Sequence, residues 1–187
     1  MDLREHSIAL ISVIVGLGLA DLLGNFNRLV RAGREVRWAV LPLVWALVAL
    51  VLVNNYWWGL YQGYVGVTSA ANALTFLLGL GMPIMLYLIC AAALPNGRSE
   101  AARDLRAAYF LESRYFFALI VLYVLATLVQ TVILKGAFQW TIPMLERCLI
   151  MGTCLPLLWT RDVRYHWFAA GVNVLILLDR LFEQVLH

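Results

Sequence analysis

The chain has 187 residues, of which 63% are hydrophobic and 13% charged, and its formal net charge is +3. The charges occur in short clusters between long apolar segments, which excludes a soluble globular enzyme and a basic surface for nucleic acid. Six membrane crossings of about 20 residues each leave too few residues for a second globular domain of about 100–150 residues. The sequence therefore predicts one all-α transmembrane domain over residues 1–187.

Six apolar segments, extended by their flanks, each approach the ~20 residues that a helix needs to cross about 30 Å of hydrocarbon. They predict a six-helix bundle with spans at about residues 7–30, 38–60, 71–94, 115–135, 140–159 and 165–186. The first segment lacks a preceding basic region and a following small-residue cleavage site. We therefore expect it to be a retained span and not a secretory signal peptide.

Arginine placement predicts the orientation of this bundle. The first, third and fifth connectors carry ten arginines: Arg28, Arg31, Arg34, Arg37, Arg98, Arg103, Arg106, Arg114, Arg161 and Arg164. The second connector has no lysine or arginine, and the fourth has only Lys135. The positive-inside rule places the arginine-rich connectors in the cytoplasm and both termini outside. These patterns are typical of a multi-pass protein of the inner (plasma) membrane.

The first span contains small residues at a strict four-residue spacing: Ser12, Gly16, Ala20 and Gly24. Such a strip is flat and predicts close packing against another helix. Gly79, Gly81 and Pro83 interrupt the third span. This break predicts either a kink or an unwound segment whose carbonyls line a cavity.

Asp21 lies about fourteen residues into the first span, with Asn25 one turn further on. A carboxyl group at that depth in the membrane costs insertion free energy, so we expect it to have a functional role or a charged partner. One interpretation is a proton or cation site that includes Asn25. The alternative is that Arg28 or an arginine of a connector pairs with the carboxylate.

Residues 98–135 contain neither glycine nor proline, and residues 99–113 are rich in strong helix formers. This composition predicts one long helix whose segment 98–114 continues the fourth span into the cytoplasm. The alternative is a bend near 112–114 that lays the segment on the membrane surface. In either case, residues 98–114 are a candidate docking site for a cytoplasmic protein.

Polar groups from four spans converge on one layer near the outer surface of the predicted bundle. They are Asn54, Asn55, Gln130, Glu146, Arg147, Asp179, Arg180 and Glu183. Opposite charges predict pairing of Glu146 with Arg180, and of Arg147 with Asp179 or Glu183. Paired charges alone indicate a clasp that holds the fifth and sixth helices in register. The uncharged amides among them favour an outward-facing polar cavity that binds an ion or a small polar solute.

Motifs of known enzymes are absent from the chain: it has no His-Glu-x-x-His, no Gly-x-Ser-x-Gly and no phosphate-binding glycine loop. An intramembrane enzyme that uses Asp21 would need a second carboxylate at the same depth. The spacing of Met144, Cys148 and Met151 fits helix packing better than a soft-metal site. All three cysteines fall inside predicted spans, which argues against disulfides. We therefore expect no catalytic residues, no metal and no cofactor.

The segments 5–12 (EHSIALIS) and 16–23 (GLGLADLL), the arginine connector that follows, and 55–58 (NYWW) resemble a group of small bacterial six-span integral membrane proteins. The resemblance covers roughly the first third of the chain and implies a bacterial membrane location but no activity. Length and span number are also similar to six-span cation channels of the lysosomal-potassium-channel type. The Arg…Phe-Ser-Asp signature of those channels is absent here, so their function is not carried over.

Two functions are compatible with these patterns. The first is a channel or transporter for an ion or small polar solute, acting through the outer cavity or as a homo-oligomer along the Gly16/Ala20/Gly24 face. The second is a membrane-embedded sensor or interaction module that signals through residues 98–114. Both have the lipid bilayer as a partner, and neither involves nucleic acid.

Overall fold

The computed structural model describes the backbone of residues 3–61, 73–96, 104–135 and 140–186, and the side chains of residues 8–60, 79–96, 104–132 and 140–182. Within these ranges the chain is all-α, which confirms the predicted class. The helices are α1 (Leu3–Ala32), α2 (Val40–Tyr61), α3 (Ala73–Ala93), α4 (Leu105–Lys135), α5 (Ile142–Cys154) and α6 (Val163–Leu186). Short 3-10 helices at Gly33–Glu35 and Leu155–Leu158 extend α1 and α5.

Three of the helical segments are long and apolar enough to cross a membrane. They are Ile8–Glu35, Val40–Leu60 and Leu105–Val132, which lie in α1, α2 and α4. Many large apolar side chains on these helices remain exposed, such as Leu17, Leu47 and Leu122. Exposed apolar side chains on long apolar helices are expected where lipid covers the protein surface. The chain is therefore a membrane protein.

The helices form a closed ring of contacts, and α2, a member of the ring, also reaches helices across it. Along the ring, α1 packs on α3, α3 on α4, α4 on α5, α5 on α6, α6 on α2, and α2 on α1. In addition, α2 touches α3 and α4. This central position follows from its sequence, because α2 is apolar on every side and can bury several faces at once. Trp45, Val48, Ala49 and Val53 of α2 are among the most buried side chains described.

Close packing of α1 against α3 uses a different glycine from those of the predicted small-residue strip. A Cβ atom added to Gly18 would lie 3.1 Å from the backbone Cα of Tyr87, so the two helices approach closely at this point. Gly16 and Ala20 are exposed, and a Cβ at Gly16 would meet nothing within 4 Å. Helix α3 thus packs on the Gly18 side of α1. Packing of another helix on the strip of Ser12, Gly16, Ala20 and Gly24 stays a prediction.

The long helix predicted from residue 98 is present as α4, but it begins at Leu105. Asp104 caps it, since its Oδ1 accepts hydrogen bonds of 3.0 Å from the backbone N–H groups of Arg106 and Ala107. From there α4 is helical for 31 residues, or about 46 Å. Its first turns pack on the bundle, where Leu105 and Tyr109 are buried. Residues 98–103 of the predicted extension lie outside the described ranges.

The break predicted in the third span does not unwind the helix. Pro83 lies inside α3, which is helical from Ala73 to Ala93. Proline removes one backbone hydrogen bond without ending the helix here, so the interpretation as an unwound, carbonyl-lined segment is wrong.

The arginine-rich connectors meet at one end of the bundle, which we call the arginine end. The backbone N–H of Leu105 donates to the carbonyl of Arg37 at 3.3 Å, and this contact joins the first connector to the third. The amide Nδ2 of Asn25 donates to the carbonyl of Leu94 at 3.5 Å and joins α1 to the end of α3.

His166 joins the fifth connector to the same end. Its Nε2 lies 3.0 Å from the carbonyl of Thr160, and its Nδ1 lies 2.6 Å from the hydroxyl of Tyr109. A carbonyl only accepts, so Nε2 carries a proton. Because the ring is buried among aromatic side chains, the uncharged form is favoured, in which Nδ1 accepts and Tyr109 donates. Phe110 and Phe117 pack against the His166 ring at centroid distances of 5.1 and 5.7 Å. The buried imidazole is therefore a neutral link between α4 and α6.

Replacing Tyr109 with phenylalanine should destabilise the protein, because Nδ1 of the buried His166 then loses its donor. An unpaired buried polar group costs about 1–3 kcal/mol. We expect a lower melting temperature for Tyr109→Phe in detergent. Tyr115→Phe removes a hydroxyl from an exposed side chain of the same helix and should leave the melting temperature unchanged. Equal melting temperatures for the two variants would contradict the proposed link.

Candidate functional site

A cavity of about 270 Å³ lies among α2, α3, α4, α5 and α6, in the half of the bundle away from the arginine end. Its walls are formed by the last turns of α2, α4 and α6 and by the middle turns of α3 and α5. The polar lining residues are Asn55, Tyr56, Tyr123, Thr127, Gln130, Thr131, Arg147 and Arg180. The apolar ones include Leu52, Met82, Val124, Ile150 and Leu177. The structure thus brings four of the predicted polar residues, Asn55, Gln130, Arg147 and Arg180, to one cavity.

The α4 wall is a polar stripe on an otherwise apolar helix. Tyr123, Thr127 and Thr131 follow one another at four-residue spacing and therefore share a face. Both threonines satisfy their hydroxyl protons on the helix itself: Thr127 donates to the carbonyl of Val124 at 2.7 Å, and Thr131 donates to that of Thr127 at 2.8 Å. Their oxygen lone pairs remain available to accept from other groups.

The predicted ion pair between Glu146 and Arg180 is present and joins α5 to α6. Nε of Arg180 donates to Oε2 of Glu146 at 2.5 Å, and its Nη2 donates to the carbonyl of Pro143 at 3.3 Å. Glu146 is only 8% exposed. Two contacts from one guanidinium fix its orientation beside the cavity, and they confirm the part of the predicted clasp that concerns this pair.

Arg147 has a different partner from the two that were predicted. Its Nη1 donates to the hydroxyl of Thr131 on α4, and the described side chains give it no ion pair. Asp179 is exposed. Successive helical residues point about 100° apart, so the rotation of α6 that turns Arg180 to the cavity turns Asp179 away from it. The predicted pairing of Arg147 with Asp179 is therefore wrong, and the Glu183 side chain lies outside the described ranges.

Asn54 is separated from Asn55 for the same geometric reason. It is exposed and lines a second, largely apolar cavity of about 560 Å³, together with Ser12, Gly16 and Trp57. The predicted outer layer of polar groups is thus divided between two surfaces of α2. Asn55 belongs to the polar cavity and Asn54 does not.

Asp21 and Asn25 lie away from the polar cavity, towards the arginine end. Asn25 is buried, donates to the carbonyl of Leu94, and accepts a 2.5 Å hydrogen bond from Nη2 of Arg28. Arg28 therefore pairs with Asn25 and not with Asp21, which overturns the predicted alternative of an Asp21–Arg28 pair. Asp21 is half-buried near Cys90 of α3.

The charges of the described residues around the polar cavity do not cancel. Arg147 and Arg180 carry two positive charges, and Glu146 supplies one negative charge. One positive charge is therefore in excess in an environment where charges are weakly screened.

Asn55 has an unsatisfied amide at this cavity. Its Nδ2 and Oδ1 are both shielded from solvent, and neither has a hydrogen-bond partner within the described ranges. A buried amide without a partner is unfavourable by about 1–3 kcal/mol. A polar partner that reaches this amide would remove the cost.

Four polar residues of the cavity were not predicted: Tyr56, Tyr123, Thr127 and Thr131. A signal was present for three of them, because Tyr123, Thr127 and Thr131 form the only four-residue polar repeat in the apolar part of α4. Tyr56 gave no such signal, since it stands in a run of aromatic residues that is typical of an interfacial belt.

No group of three metal-binding side chains occurs in the described part of the chain. Cys90, Cys148 and Cys154 are free. No protein-family model, curated protein or solved structure matches the chain. Function must therefore be argued from the cavity itself.

Removing the carboxylate of Glu146 should destabilise the protein, because Arg180 is left beside the cavity without a counter-ion. Hydrogen bonds to charged groups contribute about 1.5–3 kcal/mol, and the partial exposure of Arg180 favours the lower part of this range. We expect Glu146→Gln to lower the melting temperature in detergent, and the double variant Glu146→Arg, Arg180→Glu to restore part of the loss. Recovery is partial because a glutamate at 180 cannot donate to the carbonyl of Pro143.

Asp179→Asn is the matched control for this experiment. It removes an exposed carboxylate one residue before Arg180 and should change the melting temperature little. Small, additive effects of all these substitutions would show that Glu146 and Arg180 act independently.

Proposed function

We propose that the protein is a channel or transporter that admits an ion or small polar solute through the polar cavity among α2, α3, α4, α5 and α6. The observation that carries this proposal is the convergence of Asn55, Gln130, Arg147 and Arg180 on one cavity of about 270 Å³. Polar and charged groups inside a membrane bundle are costly and commonly mark a solute or ion pathway. A clasp alone requires only Glu146 and Arg180, so it leaves the other three residues without a role.

The proposal includes a six-span arrangement, in which α3, α5 and α6 cross the membrane as well as α1, α2 and α4. Lengths support it: α3 has 21 residues and α6 has 24, or about 32 and 36 Å. Helix α5 with its 3-10 extension covers Ile142 to Leu158, or about 28 Å. Each value is close to the ~30 Å of the hydrocarbon core.

The orientation follows from the arginine end. The positive-inside rule favours a cytoplasmic position for the connectors that meet there, in the inner membrane of a bacterium. The cavity then belongs to the outer half of the bundle and takes its solute from outside. Both termini are extracytoplasmic in this arrangement.

Purified protein in liposomes tests the transport function. We expect measurable flux of at least one solute among protons, monovalent cations, small anions and small polar molecules. Arg147→Gln should reduce this flux at least tenfold, because it removes a charged donor from the cavity wall. The matched control is Arg164→Gln, an exposed arginine at the arginine end, which should retain the flux of the parent protein. Absence of flux for every solute would remove the proposal.

Reporter fusions test the orientation. A reporter after His187 and a reporter inserted near Gly97 should give signals from opposite compartments, with the second in the cytoplasm. Signals from the same compartment would contradict the number of spans between the two positions.

A second candidate function is an interaction module, and the exposed face at the start of α4 favours it. Leu111, Arg114 and Tyr115 share this face, and Leu111 is 76% exposed. In the proposed orientation the face lies at the cytoplasmic end. No flux, together with a stoichiometric cytoplasmic partner that Leu111→Glu releases, would favour this function over transport.

The exposed strip of α1 supports a homo-oligomer as part of either proposal. Ser12 and Gly16 line the apolar cavity of about 560 Å³ between α1, α2 and α6, and Ala20 continues the same face. A strip of small residues allows close approach of another helix within a membrane. Since α3 does not cover this strip, a second copy of the chain is the proposed neighbour.

A further inference from the structure

The charge and shape of the polar cavity limit the class of solute that it accepts. We infer that its occupant is a small monovalent anion, namely a short-chain monocarboxylate whose carboxylate lies between Arg147 and Arg180. This inference rests on the proposed function, because it specifies the solute of the same cavity.

The two cationic donors that line the cavity favour an anion. A guanidinium has five N–H donors. The contacts within the described ranges use two donors of Arg180, on Glu146 and Pro143, and one donor of Arg147, on Thr131. The other N–H groups of these two guanidinium groups, and Nδ2 of Asn55, have no hydrogen-bond partner within the described ranges, and the uncharged lining offers them only neutral acceptors. A carboxylate supplies two oxygens with about four lone-pair positions, and it is suited to guanidinium groups in particular.

The charge excess selects a monovalent anion over other ions. Among the described residues, Glu146 neutralises one of the two arginines, so one positive charge remains for the occupant. A monovalent cation would meet two guanidinium groups and be repelled. A divalent anion would leave an uncompensated negative charge in a weakly screened environment.

The apolar part of the lining indicates what the anion carries. Leu52, Met82, Ile150 and Leu177 face the same cavity as the two arginines. A short alkyl chain would bury its apolar surface against them, whereas a halide would leave them without a partner. The volume of about 270 Å³ lies just below the ~300–1,000 Å³ typical of sites for drug-sized ligands, so the chain must be short.

Calorimetric titration of the full-length protein in detergent tests the inference, with sodium propionate as the probe. The total sodium concentration is held constant by exchange with sodium chloride. Propylammonium chloride, which has a chain of similar length and the opposite charge, is the second probe. We expect saturable binding of propionate, no binding of propylammonium, and weaker binding of chloride.

Two variants place the binding at this cavity. Arg147→Gln and Asn55→Asp should each weaken propionate binding at least about tenfold, the first by loss of a charged donor and the second by cancelling the charge excess. The aspartate at position 55 lies near two arginines, so Asn55→Asp should keep the melting temperature of the parent protein. It therefore remains informative if Arg147→Gln fails to fold. Arg164→Gln, at the arginine end, should bind propionate as the parent does.

Several results would overturn the inference. They are binding of propylammonium in place of propionate, chloride binding as tight as that of propionate, and propionate binding that neither variant changes. Liposome flux separates this inference from the proposed function. Flux of another solute without propionate binding overturns the inference alone. Propionate binding at this cavity without any flux supports the inference and contradicts transport.

Discussion

A charged side chain inside this bundle has few possible partners. In the described part of the chain, Glu146 and Arg180 compensate each other by forming an ion pair. Hydrocarbon supplies no hydrogen bonds, so a buried guanidinium must be oriented and compensated by the protein. Glu146 of α5 and the carbonyl of Pro143 do this for Arg180 of α6. Because the pair fixes α5 against α6, it also fixes the wall that carries Arg147. The same cavity is lined by Arg147, which has no counter-ion among the described side chains.

The two ends of the bundle are stabilised by different interactions. At the arginine end, beside the hydrogen bond from Arg28 to Asn25, two links are neutral: a backbone hydrogen bond from Leu105 to Arg37, and the neutral imidazole of His166 between Tyr109 and Thr160. These two links hold helices and connectors together without a charged group. Aromatic rings pack around the imidazole. At the cavity end the links involve charged groups whose hydrogen-bonding capacity is only partly used. The polar cavity, where two guanidinium groups and the Asn55 amide retain unused donors, is suited to binding.

The sequence predicted the helices well, because long apolar segments separated by arginine clusters leave few alternatives. It also predicted the Glu146–Arg180 pair, since opposite charges at the same depth in adjacent spans have few other partners. The division of Asn54 from Asn55, and of Asp179 from Arg180, depends on how each helix is rotated about its axis. This rotation depends on which side of each helix packs against its neighbours. The sequence pattern does not reveal that side where both the lipid and the neighbouring helices are apolar. The same reason explains why Gly18, and not the regular strip beside it, makes the close approach to Tyr87.

The short fifth helix has a consequence for the membrane around it. In the six-span arrangement, the segment of about 28 Å from Ile142 to Leu158 stands beside the much longer α4 and α6. A span shorter than the surrounding hydrocarbon draws the lipid surface inward by local thinning. Arg147 is only five residues, or about 8 Å, from the first residue of α5. Hydrophobic mismatch at α5 would therefore bring the water surface close to this arginine without any movement of the helices.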